Sequence, residues 1–571
     1  MNWKILNRKA MGQPAPPWAE RGEYDNETIV SILLAARGLK TEKQKNEFLT
    51  PKLSDLSLEN PEKILGIKKS KLIEAVEKIK NAVKNNKKIV VYGDYDADGI
   101  CGTAILWETL YELGASTEPY IPLRETEGYG LSKIGIDKIN QKSKIKNQKS
   151  LIITVDHGIG GHSQIDYARS LGIEVIVVDH HEKGKTFPKA AAIVHTTKIC
   201  AAALAWILSW YLTPEEKRKS LEEKLSLAAI ATIADLEPLI GPNRIFAKKG
   251  LEELNLTKRV GLLALFNEAG IEKREIDAYS VGFIIAPRLN ASGRLEEAID
   301  ALRLLCTRDT ERANILASKL SCLNRDRQEM TERTVLHAKE LVRTSYGLKL
   351  PKLLFISHES YHQGIIGLVA GKLVEEFRRP AVVISCGEIF SKASCRSVNG
   401  LNIIETIRSC GDLLVSCGGH PMAAGFTVET RHLEVLKTRL HEAAEKQFGK
   451  DETEKDLKVD LELPLRALTL ELSEKLQKLS PFGLGNPEPV FMVSAVKIVN
   501  SRPVGNGDRH LKLTVADETG RTFSAIGFGM GEKSPDLASG VKIDIAYNLT
   551  MNEWNGERKV ELKMKDVRST R

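Results

Sequence analysis

Short apolar runs rich in β-branched residues alternate with stretches of helical period through the first half of the chain. Lys69 to Lys84 has helical spacing, and KKIVVYGDYDADG then switches to an apolar run that ends in glycine and acids. This predicts a helix, a strand and a functional loop. The pattern recurs: LIITVDHG from Leu151 ends in Asp156, and EVIVVDHH from Glu174 ends in Asp179, His180 and His181. Continuous apolar strands alternating with helices predict a parallel sheet covered on both faces, with ligands bound beyond the carboxyl ends of the strands. All three acidic segments fall at those ends. The longest apolar run, ICAAALAWILSWYL from Ile199 to Leu212, is shorter than the roughly 20 residues a bilayer needs. It predicts a buried helix and no membrane association.

Farther along, Arg294 to Tyr346 holds neither Gly nor Pro, and the stretch from about Asp309 favours one long helix. At about 1.5 Å per residue this is a rod of roughly 50 Å, suited to joining two bodies. Beyond Pro351 the strand-like KLLFIS, a helix from about Ile365 to Phe377, the strand-like AVVIS and the glycine-rich SCGGHPMAAGF predict a second, smaller α/β domain. After a short helix and the turn cluster PFGLGNPEP come AVKIVN, HLKLTV, TFSAIGFG, VKIDIAYNL and KVELKM. Five short strands with turn signals predict a small barrel of the OB type. The lysine-rich NQKSKIKNQKS from Asn140 to Ser150 reads as a solvated surface loop.

Composition adds less. The 571 residues, 42% hydrophobic and 28% charged, are those of a globular chain of several domains rather than a disordered one. With 83 Lys+Arg against 75 Asp+Glu the formal charge is +8, which permits a polyanionic partner without arguing for one. The eight cysteines form no CxxC pair and no tight His/Cys spacing, which argues against structural zinc and a disulfide framework. The N-terminus MNWKILNRKAMGQPAPPWAERG lacks an apolar signal core, so a cytoplasmic location is expected.

The chemistry concentrates in the first half. Asp94, Asp96 and Asp98 alternate in GDYDADG, a trio that by itself reads equally as a calcium-like loop or a solvated turn. Its weight comes from Asp156, the Asp179-His180-His181 triplet and Asp235 in LAAIATIADLEP, each closing an apolar segment. Carboxylates buried at strand ends repel one another unless a cation neutralises them. Oxygen ligands with an imidazole suit Mn²⁺ or Mg²⁺ better than zinc, and a shared carboxylate is the usual bridge of a dinuclear site. Two such ions about 4 Å apart serve phosphoryl transfer, which points to a phosphate ester as substrate.

GDYDADG, VDHG, VDHHE and TIAD resemble the successive motifs of the DHH phosphoesterases. YIPLRETEGYGL, GFIIAPRLNASGRL, SYHQGIIGLVAGKL, CGGHPMAAG, PFGLGNPEPVF and AIGFG resemble the single-strand-specific DNA exonucleases of that family, in the expected order over nearly the whole chain. The resemblance implies an α/β fold: a parallel-sheet DHH domain joined by a long helix to a smaller α/β DHH-associated domain, plus a C-terminal OB-type β-barrel. The corresponding boundaries are 1–307 for the N-terminal segment and DHH domain, 308–346 for the helix, 347–455 for the associated domain and 456–571 for the barrel. It further implies a metal-dependent enzyme that degrades single-stranded DNA from 5′ to 3′ into mononucleotides, in recombinational and mismatch repair.

Residue by residue, the resemblance gives Asp96 and Asp156 one metal ion, with Asp94 close by, and gives Asp98, Asp156, His180 and Asp235 the other. His181 is implied to face the scissile phosphate and Asp179 to orient the histidines. Arg288, Asn290 and Arg294 would lie beside substrate phosphates, Ser394 and Arg396 would receive the terminal 5′-phosphate, and His420 would face them. In the barrel, Phe528, Trp554, Lys512 and Arg558 are candidates to grip the strand. Two divalent ions, Mn²⁺ or Mg²⁺, are the implied cofactors. Single-stranded DNA is the implied partner, with a single-strand-binding protein and a RecQ-type helicase beside it, and the protein is expected to be a monomer.

Overall fold

In the computed structural model the apolar run Lys88–Gly93 is strand β1, followed by helix α1 (Ala97–Glu112), β2 (Thr117–Tyr120), β3 (Ser150–Val155), β4 (Glu174–Asp179) and β5 (Ala192–His195). The structure describes residues 2–6, 25–145, 150–273, 275–347, 349–447, 456–554 and 557–570. The strands pair in the order β2-β1-β3-β4-β5, all parallel. β1 and β3 are buried almost throughout, as an apolar run without alternation requires when helices cover both faces. Val90, Tyr92, Ile152 and Val177 pack on one side with Ile136, Ile139 and Ile165. The apolar run becomes α2 (Ala201–Leu212), buried except for Trp210 and Tyr211, and packs with α1 and α3 (Leu225–Ala234). Among the described residues no helix is long and apolar enough to cross a membrane.

Helix α4 (Ala286–Leu295) leads to the rod foreseen in the sequence, α5 (Thr310–Tyr346), 37 residues long. Asp309 caps its first turn by accepting from Arg312 N, and Gly347 ends it with a positive φ of 57°. The C-terminal half of α5 presents Ala338 and Val342 to the second α/β body, where Leu354, Ile356, Val369 and Leu373 complete the core. That body comprises β6 (Leu354–His358), α6 (Ile366–Phe377), β7 (Ala381–Ser385), β8 (Phe390–Arg396), β9 (Leu414–His420) and β10 (Ala423–Glu429), in the sheet order β9-β10-β8-β7-β6. The glycine-rich stretch is a hairpin. β9 is exposed along nearly its whole length, so no apolar alternation marks it, and pairing with β10 alone makes it a strand.

Residues 66–235 and 252–453, where described, form one unit; those of 1–65, 236–251 and 454–571 form another. In the second, β11 (Phe491–Val504), β12 (His510–Ala516), β13 (Thr522–Gly527), β14 (Lys542–Trp554) and β15 (Glu557–Ser569) pair in a ring that closes through β14 and β11. The barrel is closed and five-stranded. Leu33 and Phe48 from the N-terminal helices share its core with Leu472, Val515 and Tyr547. Buried Arg244 stitches in the 236–251 segment, donating to Phe48 O at 2.7 Å and Ser480 O at 2.7 Å. This grouping departs from the sequence boundary that kept residues 1–307 together: periodicity identifies elements, and says nothing about which distant element shares a core. In the lysine-rich segment, a helix over Lys133–Ile145 takes the first part, and residues 146–149 lie outside the described residues.

Candidate active site

From β1 the chain crosses to β2 on one side and returns to β3 on the other. A crevice therefore opens beyond the carboxyl ends of β1 and β3. Asp94 follows β1 directly. Asp96 is the N-cap of α1, its Oδ1 accepting from Asp98 N at 3.0 Å and Gly99 N at 3.1 Å, and Asp98 sits in the first helical turn. The acidic trio is thus a tight strand-to-helix corner, neither a calcium-like loop nor a solvated turn. Gly99 permits it: a Cβ there would stand 2.6 Å from Asp94 N. Asp156, just past β3, holds a left-handed backbone with φ 71°, uncommon for a residue with a Cβ and frequent where function sets the geometry. Its N–H donates to Val178 O at 3.0 Å, which pins the turn to β4.

These elements bring the predicted residues together. Donor atoms of Asp94, Asp96 and Asp156 lie within 4.8 Å of one another, as do those of Asp98, His180 and Asp235, and those of Asp156, His180 and His181. His180 Nε2 is 3.2 Å from Asp156 Oδ1, 3.6 Å from Asp98 Oδ2 and 3.7 Å from Asp235 Oδ2. Both oxygens of Asp98 accept from the first amides of α2, Ala201 N and Ala202 N, at 2.7 Å each. Asp179 Oδ1 accepts from His181 N at 3.1 Å and pairs with His181 Nδ1 at 2.8 Å, while its Oδ2 accepts from Ile159 N at 2.8 Å.

Burial drives the carboxyl groups of Asp94, Asp98 and Asp156 above the ordinary carboxylate range; Asp96 adds to this for Asp94, and Asp98 and Asp96 add to it for Asp156. Asp179 is equally buried, yet the His181 imidazole and two backbone N–H groups outweigh desolvation and hold it at about 2. Asp94 Oδ1 and Asp156 Oδ1 are buried without a well-aligned hydrogen-bond donor. Buried acceptors left in this state are costly, and a hard divalent cation satisfies them while removing the mutual repulsion. The donor set of carboxylates with one or two imidazoles fits Mn²⁺ or Mg²⁺.

Beside this cluster lies a cavity of 700 Å³ lined by Asp96, Arg124, Tyr129, Asn290, Arg294 and, from the second α/β body, Ser394 and Arg396. Lys392, Ser394 and Arg396 alternate along β8 on its open face, while Ala393 and Cys395 point into the core behind. Arg396 NH1 donates to Cys395 O at 2.9 Å and meets Ser394 Oγ at 3.3 Å. Gly367, in the first turn of α6, leaves this space open: a Cβ would stand 2.9 Å from Ser394 Oγ and 3.3 Å from Arg396 NH2. Arg294 NH1 donates to Gly364 O at 3.1 Å. Burial first, then the cations of Arg124, Arg327 and Arg396, pull its guanidinium down to about 10. An anion would relieve that crowding.

The other assignments divide. Asn290 Oδ1 accepts from Ala97 N at 2.7 Å, so it braces the acidic corner as well as lining the cavity. Exposed His420 lies nearly parallel to His181, ring centroids 6.4 Å apart. Arg288 does not line the cavity: its Nε donates to Ser321 Oγ of α5 at 3.2 Å and its NH1 to Ile284 O at 2.8 Å. In the barrel, Phe528 is 57% exposed with the Lys563 ammonium 5.7 Å from its ring centre. Lys512 pairs with Glu561 and Arg558 with Glu474, and the Trp554 side chain lies outside the described residues. Sequence reasoning missed Tyr129, whose hydroxyl donates to Asp156 O at 3.1 Å and stands 3.3 Å from His181 Nε2. It also missed Arg124, whose guanidinium stacks 5.0 Å from the Tyr95 ring centre. Their signal was the motif YIPLRETEGYGL, to which no role had been attached.

Three family models match the chain: the DHH family N-terminal domain over residues 88–233, the DHHA1 domain over 350–446 and the RecJ OB domain over 459–566. The single-stranded-DNA-specific exonuclease RecJ of Bacillus subtilis (strain 168) is 36% identical over 550 residues, covering 94% of this chain and 68% of that protein. The crystal structure of RecJ in complex with Mn²⁺ from Thermus thermophilus superposes with a TM-score of 0.78 at 32% identity, covering 95% of this chain and 76% of that one. The Mg²⁺ complex from the same organism gives 0.72 at 31%, covering 95% and 74%.

Proposed function

The chain belongs to the RecJ family of single-stranded-DNA-specific exonucleases, and from that membership we propose that it hydrolyses single-stranded DNA from the 5′ end, releasing mononucleotides, in recombinational and mismatch repair. One observation carries the reading: buried carboxylates with unsatisfied oxygens converge at the switch point of a parallel sheet, beside a cavity whose walls are arginine-rich. Asp94, Asp96 and Asp156 would hold one divalent ion, and Asp98, Asp156, His180 and Asp235 the other. When bound, Mn²⁺ or Mg²⁺ lowers the pKa of water and neutralises charge on phosphoryl oxygens.

The protein's own groups do the rest. Asp179, ionised because its acidity is raised, holds Nδ1 of His181. That turns Nε2, 3.3 Å from the Tyr129 hydroxyl, outward to hydrogen-bond a phosphoryl oxygen or to give a proton to the leaving oxygen. Asp98 is anchored on the α2 amides, which fixes its two oxygens before any ligand arrives. Arg294 and Arg396 offer fork-shaped guanidinium groups to a terminal phosphate, with Ser394 as a further donor. A strand end held there places the first phosphodiester toward the acidic corner, and polarity follows from which end carries the phosphate. The barrel, with exposed Phe528 beside Lys563, supplies a stacking and cationic surface for the rest of the strand.

Digestion of a strand labelled at its 5′ or its 3′ end, beside a blunt duplex, with Mn²⁺ or with chelator, tests this. Immediate release of the 5′ label as mononucleotide, only with metal and only from the single strand, is expected. Release of the 3′ label first would overturn the polarity, and cleavage confined to di- and trinucleotides would overturn the polymer substrate. The expected solution state is a monomer; light scattering during the same purification tests it.

A further inference from the structure

The turn that follows β4 is held from behind by the edge of the sheet. The parallel register pairs β5 His195 with β4 Asp179, and His195 donates its Nε2–H to the carbonyl oxygen of His181 at 2.7 Å. A carbonyl only accepts, so Nε2 carries the hydrogen whether the ring is neutral or charged. Phe187 meets the His195 ring edge-on, with centroids 5.9 Å apart, and the Lys183 ammonium stands 4.6 Å from the Phe187 ring centre. The His195 ring is thereby packed into one orientation.

Besides the Tyr129 hydroxyl 3.3 Å from its Nε2, His181 is fixed at three points on its backbone and its Nδ1 side. Its backbone N–H and its Nδ1 both meet Asp179 Oδ1, at 3.1 and 2.8 Å, and its carbonyl meets His195. The first two come from one carboxylate on the same side of the residue, so they act as a pivot about which the peptide plane can still tilt. The third contact stops that tilt. A reacting group displaced by about 1 Å can lose 100-fold in rate.

We propose that His195 is a positioning residue for His181, locking the peptide plane on which the imidazole stands; this rests on the role given to His181 above. His195 itself touches neither substrate nor metal. Glutamine, whose side-chain amide nitrogen reaches about as far as imidazole Nε2, keeps the donor; alanine removes it.

The test compares His195→Ala, His195→Gln and His181→Ala in steady-state cleavage of single-stranded DNA with Mn²⁺, together with calorimetric Mn²⁺ binding and thermal melting. In His195→Ala, kcat should fall about tenfold with KM within about twofold. Mn²⁺ affinity and melting temperature should stay near those of the parent, and His195→Gln should recover kcat to within about threefold. An inactive His181→Ala beside a fully active His195→Ala sinks the positioning role alone. A loss of kcat matched by loss of Mn²⁺ binding or of fold, with no rescue by glutamine, also overturns it. Full activity in His181→Ala sinks the role of His181, and this inference with it.

Discussion

His180 Nε2 stands 3.2 Å from Asp156 Oδ1, the contact at which the two carboxylate sets meet. Among the described residues, Asp156 is the only aspartate that belongs both to the set with Asp94 and Asp96 and to the set with the paired histidines. Removing it should unmake both metal positions while leaving the arginine-lined cavity intact. Asp156→Ala is therefore expected to lose cleavage by at least about 1,000-fold and to bind single-stranded DNA with nearly unchanged affinity, as measured by fluorescence anisotropy. Measurable turnover at parental Mn²⁺ concentrations would contradict the bridging role.

Protons and metal compete for the same oxygens. Burial raises the carboxyl groups of Asp94 and Asp156, so the folded, metal-free protein keeps protons that the unfolded chain releases above about pH 4. Between that pH and the raised values, stability of the metal-free protein should fall as pH rises. Mn²⁺ affinity should weaken as pH falls, by about tenfold per unit while one carboxyl group is being protonated. Melting with chelator and Mn²⁺ titration calorimetry at pH 6 and 8 check the two signs, with Asp156→Asn as the variant in which both slopes shrink.

Arg396 lies beside Ser394 on the open face of β8, and both face Gly367. Arg396→Ala should reduce the preference for a 5′-phosphorylated over a 5′-hydroxyl strand roughly 10- to 100-fold, the loss of a charged hydrogen bond of about 1.5–3 kcal/mol. Competition between the two substrates in one reaction reads this directly. An unchanged ratio would move the end-phosphate pocket elsewhere.

Gly367 offers a subtler probe. A branched side chain there would meet Ser394 Oγ and Arg396 NH2, yet the position is ordinary helix and tolerates a Cβ in its backbone. Gly367→Val should raise KM for 5′-phosphorylated strands several-fold and leave the melting temperature almost unchanged. A matching fall in stability would mean that the space is structural.

Arg288 is expected to behave differently from Arg294. Its guanidinium is spent on Ser321 Oγ and Ile284 O, so Arg288→Ala should cost about 1–2 kcal/mol of stability and spare kcat. Denaturant melts beside kinetics separate the two effects.

Much of the site was legible because its residues terminate recognisable elements. Asp94, Asp156 and Asp179 each end an unbroken apolar run, and Asp235 ends a helix whose residues are nearly all buried. Arg288 and Arg294 lie in one motif, and sequence could not separate them: which way a helical residue faces depends on the helix packed against it, here α5. Strand β9 was illegible for another reason. Its strand identity comes from backbone pairing with β10, because nearly all its side chains are exposed, whereas β10 alternates buried Ala424, Phe426 and Val428 with half-buried positions.

The sequence by itself determined the parallel sheet, the long helix, the five barrel strands and the acidic cluster, since each depends on local periodicity or on residue chemistry at an element's end. Only the tertiary structure decided that Leu33 and Phe48 share a core with the barrel, that Asp98 anchors on α2, that Tyr129 and Arg124 join the site, and that His195 holds the His181 carbonyl. Each of these is a contact between residues far apart in the chain. Such contacts are selected by how whole elements pack, and packing leaves no fixed period in the sequence.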